Sequence, residues 1–178
     1  MNRLIILLLA AVFTWGASQP VSAEVRNAAA GGFAIEHHLD LPVKPKVVYQ
    51  ALIENIGQWW LADHTYSGSS NNLYIEARAG GCFCERMPDG GSVLHMLISY
   101  IQPGREVRMV GGLGPLQMMG LSGGMQFKMT SKDDGSYLEF SYKVSGYSAD
   151  GLVGLAAIVD RVWADQLASL SAFLTPAE

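Results

Sequence analysis

The stretch Gly80-Gly81-Cys82-Phe83-Cys84-Glu85-Arg86-Met87, then Pro88-Asp89-Gly90-Gly91, then Ser92-Val93-Leu94-His95-Met96-Leu97-Ile98-Ser99-Tyr100-Ile101 decides the fold. Two strand-like runs flank an Asp-Gly turn, the strongest short-range signal for a β-hairpin. The hairpin holds both cysteines of the chain and one of its four histidines. A two-residue loop, Asp89-Gly90, sets Pro88 against Gly91, Cys84 against His95 and Cys82 against Leu97. A bulged loop, Asp89-Gly90-Gly91, slips the pairing by one and sets Glu85 against His95. A one-residue slip turns every side chain of a strand to the other face. The hairpin therefore offers a Cys82-Cys84-His95 cluster or a Glu85-His95 pair, and the two-residue loop is the preferred reading.

Further strands surround the hairpin. From Phe33 to Leu41, the residues Phe33, Ile35, His37, Leu39 and Leu41 alternate with more polar neighbours, as in a half-buried strand. Leu73 to Ala77, Arg105 to Gly111, Met125 to Lys132 and Ser136 to Gly146 read as strands with turn residues between them. Pro45 suits the first turn of a helix carrying Val47, Val48, Ala51, Leu52 and Ile56, which Gly57 breaks before a second short element at Gln58-Trp59-Trp60. Near the C-terminus Leu152, Leu155, Ala156, Val159, Trp163, Leu167, Leu170 and Leu174 recur at helical spacing, with Asp160, Arg161, Asp165 and Gln166 mostly off the stripe. Asp63 to Asn72 is a polar loop containing His64 and Tyr66. Gly112 to Gly124 is glycine-rich yet apolar and contains Met118; it lacks the spacing of a phosphate-binding loop, so nucleotide binding is not supported.

The N-terminus sets the expected compartment. Arg3 precedes an apolar run from Leu4 to Trp15, and Val21-Ser22-Ala23 ends in small residues, the pattern of a secretory signal peptide. Cleavage after Ala23 makes the mature chain periplasmic or secreted, a setting that permits disulfides. It removes one of the 12 basic residues and none of the 16 acidic ones, so the net charge goes from −4 to −5. An acidic balance without a basic cluster argues against nucleic acid. No later apolar run reaches membrane length, so stable membrane insertion after cleavage is not expected. Residues 24–32 are small and read as a flexible leader, and residues 33–175 form one domain.

The order is strand, two short helices, a run of antiparallel strands, then a long helix. Such an α+β chain folds as a curved antiparallel sheet of six to seven strands around the C-terminal helix. Pro42-Val43, Val48-Tyr49-Gln50-Ala51-Leu52, Trp59-Trp60, Gly80-Gly81 before Phe83, Pro103 with Arg105, and Val159-Asp160 to Leu170 follow one another in this order. In these residues and their order the chain resembles the START-like SRPBCC superfamily with its helix-grip fold, and within it the group of polyketide cyclase/dehydrase or heat-shock-protein-90 ATPase activator homologues. The resemblance implies a hydrophobic ligand cavity between sheet and helix. It implies no single chemistry, because function resides in sites rather than folds.

Three functions follow. The first is noncatalytic binding or carriage of a small hydrophobic molecule, with Trp59, Trp60, His64, Tyr66, Met118, Trp163 and Leu167 as candidate ligand contacts. The second is an enzyme of cyclase, dehydratase or hydrolase type, with Glu85 and His95 as a proton-transfer pair. The third is a soft-metal or redox site at Cys82, Cys84 and His95, which His64 could complete. The two cysteines, two apart on one strand face, also read as buried small hydrophobes or as a disulfide. No cofactor follows from the sequence.

Overall fold

The computed structural model describes residues 22–175. Eight strands form one antiparallel sheet: β1 Ser22–Ala29, β2 Gly32–Leu41, β3 Leu73–Ile75, β4 Cys82–Arg86, β5 Ser92–Gln102, β6 Glu106–Gly111, β7 Ser122–Lys132 and β8 Gly135–Ser145. Their order across the curved, open sheet is β1-β2-β8-β7-β6-β5-β4-β3. Helices α1 Pro45–Glu54 and α2 Ile56–Trp59 follow β2, and α3 Val153–Leu174 ends the fold. This is the α+β helix-grip architecture expected from the element order, with one strand more than the six to seven anticipated.

The added strand is β1. Of residues 24–32, expected as a flexible leader, those up to Ala29 instead pair with β2, in a ladder from Ser22↔His38 to Ala29↔Gly32. Small residues there carry no alternation to read, but backbone pairing needs none. Val25 and Ala28 pack against the core, and α3 lies against both β1 and β2. The export signal expected over residues 1–23 lies outside the described residues, apart from Ser22 and Ala23 at the start of β1.

The inward faces of the strands meet α3 in an aromatic core. The Trp163 ring lies 4.2 Å from Phe140, 5.9 Å from Phe127 and 5.6 Å from Trp60, and Trp60 lies 5.2 Å from Phe83. Fully burying one such side chain stabilises by roughly 1.5–3 kcal/mol. The α3 stripe places Ala156, Trp163, Leu167, Leu170 and Leu174 inside as expected. Gln166, expected off the stripe, is also fully buried. Its Oε1 accepts the Leu61 N–H at 3.0 Å, and the Ser169 hydroxyl donates to the Trp59 carbonyl at 2.5 Å. Through these two bonds α3 holds the end of α2 and the chain that follows it.

Candidate functional site

The site is built in the β4–β5 hairpin. The turn is neither of the two expected. Met87 and Gly91 exchange a bond, Met87 N–H to Gly91 carbonyl at 2.9 Å, and Gly90 N–H donates to the Met87 carbonyl at 3.1 Å. The loop is thus Pro88-Asp89-Gly90, with Gly90 at φ 81°, where a residue without Cβ is at ease. Pairing runs Arg86↔Ser92, Glu85↔Val93 and Cys84↔Leu94, then shifts to Phe83↔Met96 and Cys82↔Leu97. His95 is the extra residue of a bulge. Cys82 faces Leu97 as expected, but His95 is directly opposite neither Cys84 nor Glu85. The Cα atoms of Cys82 and Cys84 are 5.4 Å apart, less than the ~6.6 Å of two strand steps. A shortened β4 thus faces a β5 carrying one more residue.

The bulge turns both His95 and Met96 inward, and both are buried. His95 Nε2 comes within 2.9 Å of Glu85 Oε2. Glu85 is fully buried and also accepts the Tyr66 N–H at 3.0 Å and the Ser67 N–H at 2.5 Å. Burial alone would push the Glu85 carboxyl up; the hydrogen bonds from Ser67, Tyr66 and His95 outweigh it and hold the group below its ordinary value. Burial pushes His95 down, against the opposing pull of Glu85. The pair is therefore carboxylate and neutral imidazole, with Nε2–H donating to Oε2. That tautomer leaves Nδ1 a bare lone pair, buried and without a hydrogen-bond partner. The ring lies against Phe83 at 4.9 Å and Tyr66 at 5.9 Å. Chemically the arrangement offers one proton acceptor, Nδ1, on an imidazole whose orientation a carboxylate fixes.

The metal reading does not survive this geometry. Cys82 and Cys84 are joined to each other as a disulfide. Strand alternation puts them on the outer face of β4, while Glu85 and Phe83 point inward with His95. His64 ends a 3₁₀ turn, Ala62–His64, with its side chain exposed. Among the described residues no three His, Cys, Asp or Glu side chains converge to hold a metal ion.

The candidate ligand contacts divide. Trp59, Trp60, Trp163 and Leu167 are buried in the interior. Trp59 Nε1–H donates to the Ala51 carbonyl at 2.9 Å and Trp60 Nε1–H to the His64 carbonyl at 3.0 Å. Tyr66 is 50% exposed; its ring lies against His95 and its backbone N–H bonds to Glu85. Met118 is 89% exposed and stands outside the interior. The reason is local: Leu116 and Leu121 turn inward on either side of it, and the Tyr142 hydroxyl, bonded to Leu113 N–H at 3.1 Å, ties the loop down. Within the grip there remains a void of about 10 Å³ lined by Leu52, Ile56, Trp59, Trp60, Trp163 and neighbouring apolar side chains. That is room for about one water molecule.

A second histidine–carboxylate pair escaped the sequence reading. His37, fully buried on β2, has Nε2 2.9 Å from Asp160 Oδ1 on α3. Burial pushes its imidazole down, while Asp160 pulls the other way. Alternation along β2 had placed His37 inward. Nothing in the sequence ties it to an aspartate on the last helix.

No protein-family model matches the chain, and no curated protein matches it significantly. Solved structures do. CalU16 from Micromonospora echinospora superposes with a TM-score of 0.58 at 16% identity, over 88% of this chain and 86% of its own. A Mesorhizobium loti protein gives 0.59 at 14%, over 82% and 98%. The Aha1 dimer from Colwellia psychrerythraea gives 0.57 at 20%, over 79% and 95%. The likeness is one of fold, and the fold is START-like, of the SRPBCC helix-grip type.

Proposed function

We propose that this protein binds a small hydrophobic molecule in the interior between the sheet and α3, as an exported carrier rather than a catalyst. The observation that carries the reading is the void among Trp59, Trp60 and Trp163: every lining side chain is apolar, and Met109 and Met125 are among them. Methionine repacks readily around a guest. A ligand site usually measures ~300–1,000 Å³, so binding requires the interior to open. The segment that follows Trp60, residues 61–72, is suited to that movement. It contains no strand and only two 3₁₀ turns, Ala62–His64 and Ser70–Asn72. Side-chain bonds to Glu85 and Gln166 help to hold it.

Native mass spectrometry of the purified protein, joined to titration with an apolar fluorescent probe, tests this. Retained apolar mass, or saturable probe binding that quenches tryptophan emission, is the expected result. An empty protein that neither binds the probe nor changes its tryptophan emission overturns it. N-terminal sequencing of protein from the extracytoplasmic fraction should begin at Glu24; full-length chain in the cytoplasm removes the exported part of the proposal.

The unpartnered Nδ1 of His95 favours a second reading, proton abstraction from a bound substrate by the Glu85–His95 pair. It requires the same opening of residues 61–72, because Tyr66 and Ser67 cover Glu85.

A further inference from the structure

The Cys82–Cys84 disulfide contributes to neither reading, and it is poorly suited to a structural task. It spans a sequence separation of two. Closing so short a loop constrains the unfolded chain far less than the long loops that structural disulfides bridge. Nor does it join two elements, since both cysteines lie within β4.

Its surroundings suit exchange chemistry. The two sulfurs sit on the outer face of β4 and differ in access: Cys82 is half-buried, Cys84 only 8% exposed. Their cross-strand neighbours Leu97 and Leu94 are themselves open to solvent at 44% and 47%. Arg86, two residues beyond Cys84, follows on the same face. Its guanidinium lies 4.2 Å over the ring of Tyr74, the β3 residue paired with Cys84. A cation is thus held over the ring of the residue paired with Cys84, on the strand face that carries both sulfurs, where it favours a departing thiolate.

We propose that Cys82 and Cys84 form a redox-active pair that exchanges with low-molecular-weight thiols. A substrate thiolate attacks Cys82 Sγ, the sulfur–sulfur bond breaks, and its electron pair leaves with Cys84 as a thiolate on the face that carries Arg86. A second substrate thiolate attacks the substrate sulfur of the mixed disulfide, releasing Cys82 as a thiolate. The two substrate thiols become one disulfide, and the protein gains two electrons and, after protonation, two hydrogens. The reverse exchange, with a small-molecule disulfide as oxidant, restores the starting state. Phe83, between the two cysteines, carries the pair's backbone to the interior, where its ring meets Trp60 and His95.

The test uses the full chain and glutathione at millimolar concentration without denaturant. The folded protein should oxidise two equivalents of glutathione to its disulfide, read as thiol loss and as a gain of two hydrogens in intact mass. With glutathione disulfide, Cys84→Ser should accumulate a mixed disulfide on Cys82 at least tenfold faster than Cys82→Ser does on Cys84. Arg86→Gln should slow exchange several-fold and move the pH midpoint of the reduced protein's thiol reactivity upward, which loss of packing alone would not do. A disulfide that opens only in denaturant overturns the proposal, as do single-cysteine variants that react alike.

Discussion

The two histidine–carboxylate pairs have the same Nε2-to-oxygen distance, 2.9 Å, but are built in different ways. Glu85 and His95 lie in one hairpin, ten residues apart, and the carboxylate is fully buried with two backbone N–H donors besides the imidazole. His37 and Asp160 join a strand to the last helix, and the Asp160 side chain is 19% exposed. In that pair neither His37 nitrogen nor Asp160 Oδ1 has a well-aligned hydrogen bond. The first pair organises its surroundings: remove Glu85 and three donors lose their acceptor. The second is a contact between elements that packing already holds together. Equal distances therefore do not imply equal energies; burial and the number of satisfied partners decide.

The sharpest way to break this comparison is Glu85→Ala. Removing the carboxylate leaves three donors without their acceptor, at about 1–3 kcal/mol for each that stays buried, or about 3–5 kcal/mol in all. Urea denaturation should show a loss in that range, together with faster hydrogen exchange at Tyr66 and Ser67. A loss below ~1 kcal/mol would mean that the pair does not hold residues 61–72. Leu167→Ala serves as the apolar control. Leu167 is fully buried, so the loss should be about 2–5 kcal/mol. A smaller loss than ~0.5 kcal/mol would place the α3 face on an open cavity rather than a packed core.

Acid separates the pairs by titration. His37 and His95 both have folded-state values below the ordinary 6.5, chiefly through burial. Glu85, despite the burial that opposes it, lies below its ordinary 4.5 because of its hydrogen bonds. In each case the unfolded chain binds protons at a higher pH than the folded one, so stability rises with pH. The melting temperature should therefore be steady above about pH 6.5 and fall as the medium becomes more acidic, first through the histidines. A second decline should follow below about pH 4.5 as Glu85 is protonated. His95→Gln and His37→Gln should each flatten the first part of the fall. A melting temperature unchanged between pH 7 and 5 would show that the histidines are not held neutral. The smallest effect belongs to Asp160→Asn, about 1 kcal/mol or less, since the lost pair is partly solvated. A cost matching that of Glu85→Ala would erase the distinction between the two pairs.

Much of the site was within reach of local sequence signals. The Glu85–His95 pair was one of two pairings the hairpin offered, under the loop length not preferred, and β4 alternation separated Phe83 and Glu85 from the cysteines. The turn misled because Pro88-Asp89-Gly90 accommodates several loop lengths, each with Gly90 at positive φ. The bulge at His95 has no sequence mark; it arises where two strands of unequal span are matched. Met118 was misplaced because a glycine-rich apolar loop does not say which of its side chains turn inward. Gln166 was missed because its burial depends on a chain segment a hundred residues upstream.

By itself the sequence determined the order and nature of the elements, from the alternation along β2 to the stripe on α3, because periods of two and of three to four residues depend only on near neighbours. The inward placement of His37 and of Trp163 followed from the same periods. The tertiary structure alone decided the β1 edge strand, the His37–Asp160 contact, the burial of Gln166 and the nearly filled interior. Each depends on how elements far apart in the chain meet, where packing and desolvation set the energies and no local period records the partner.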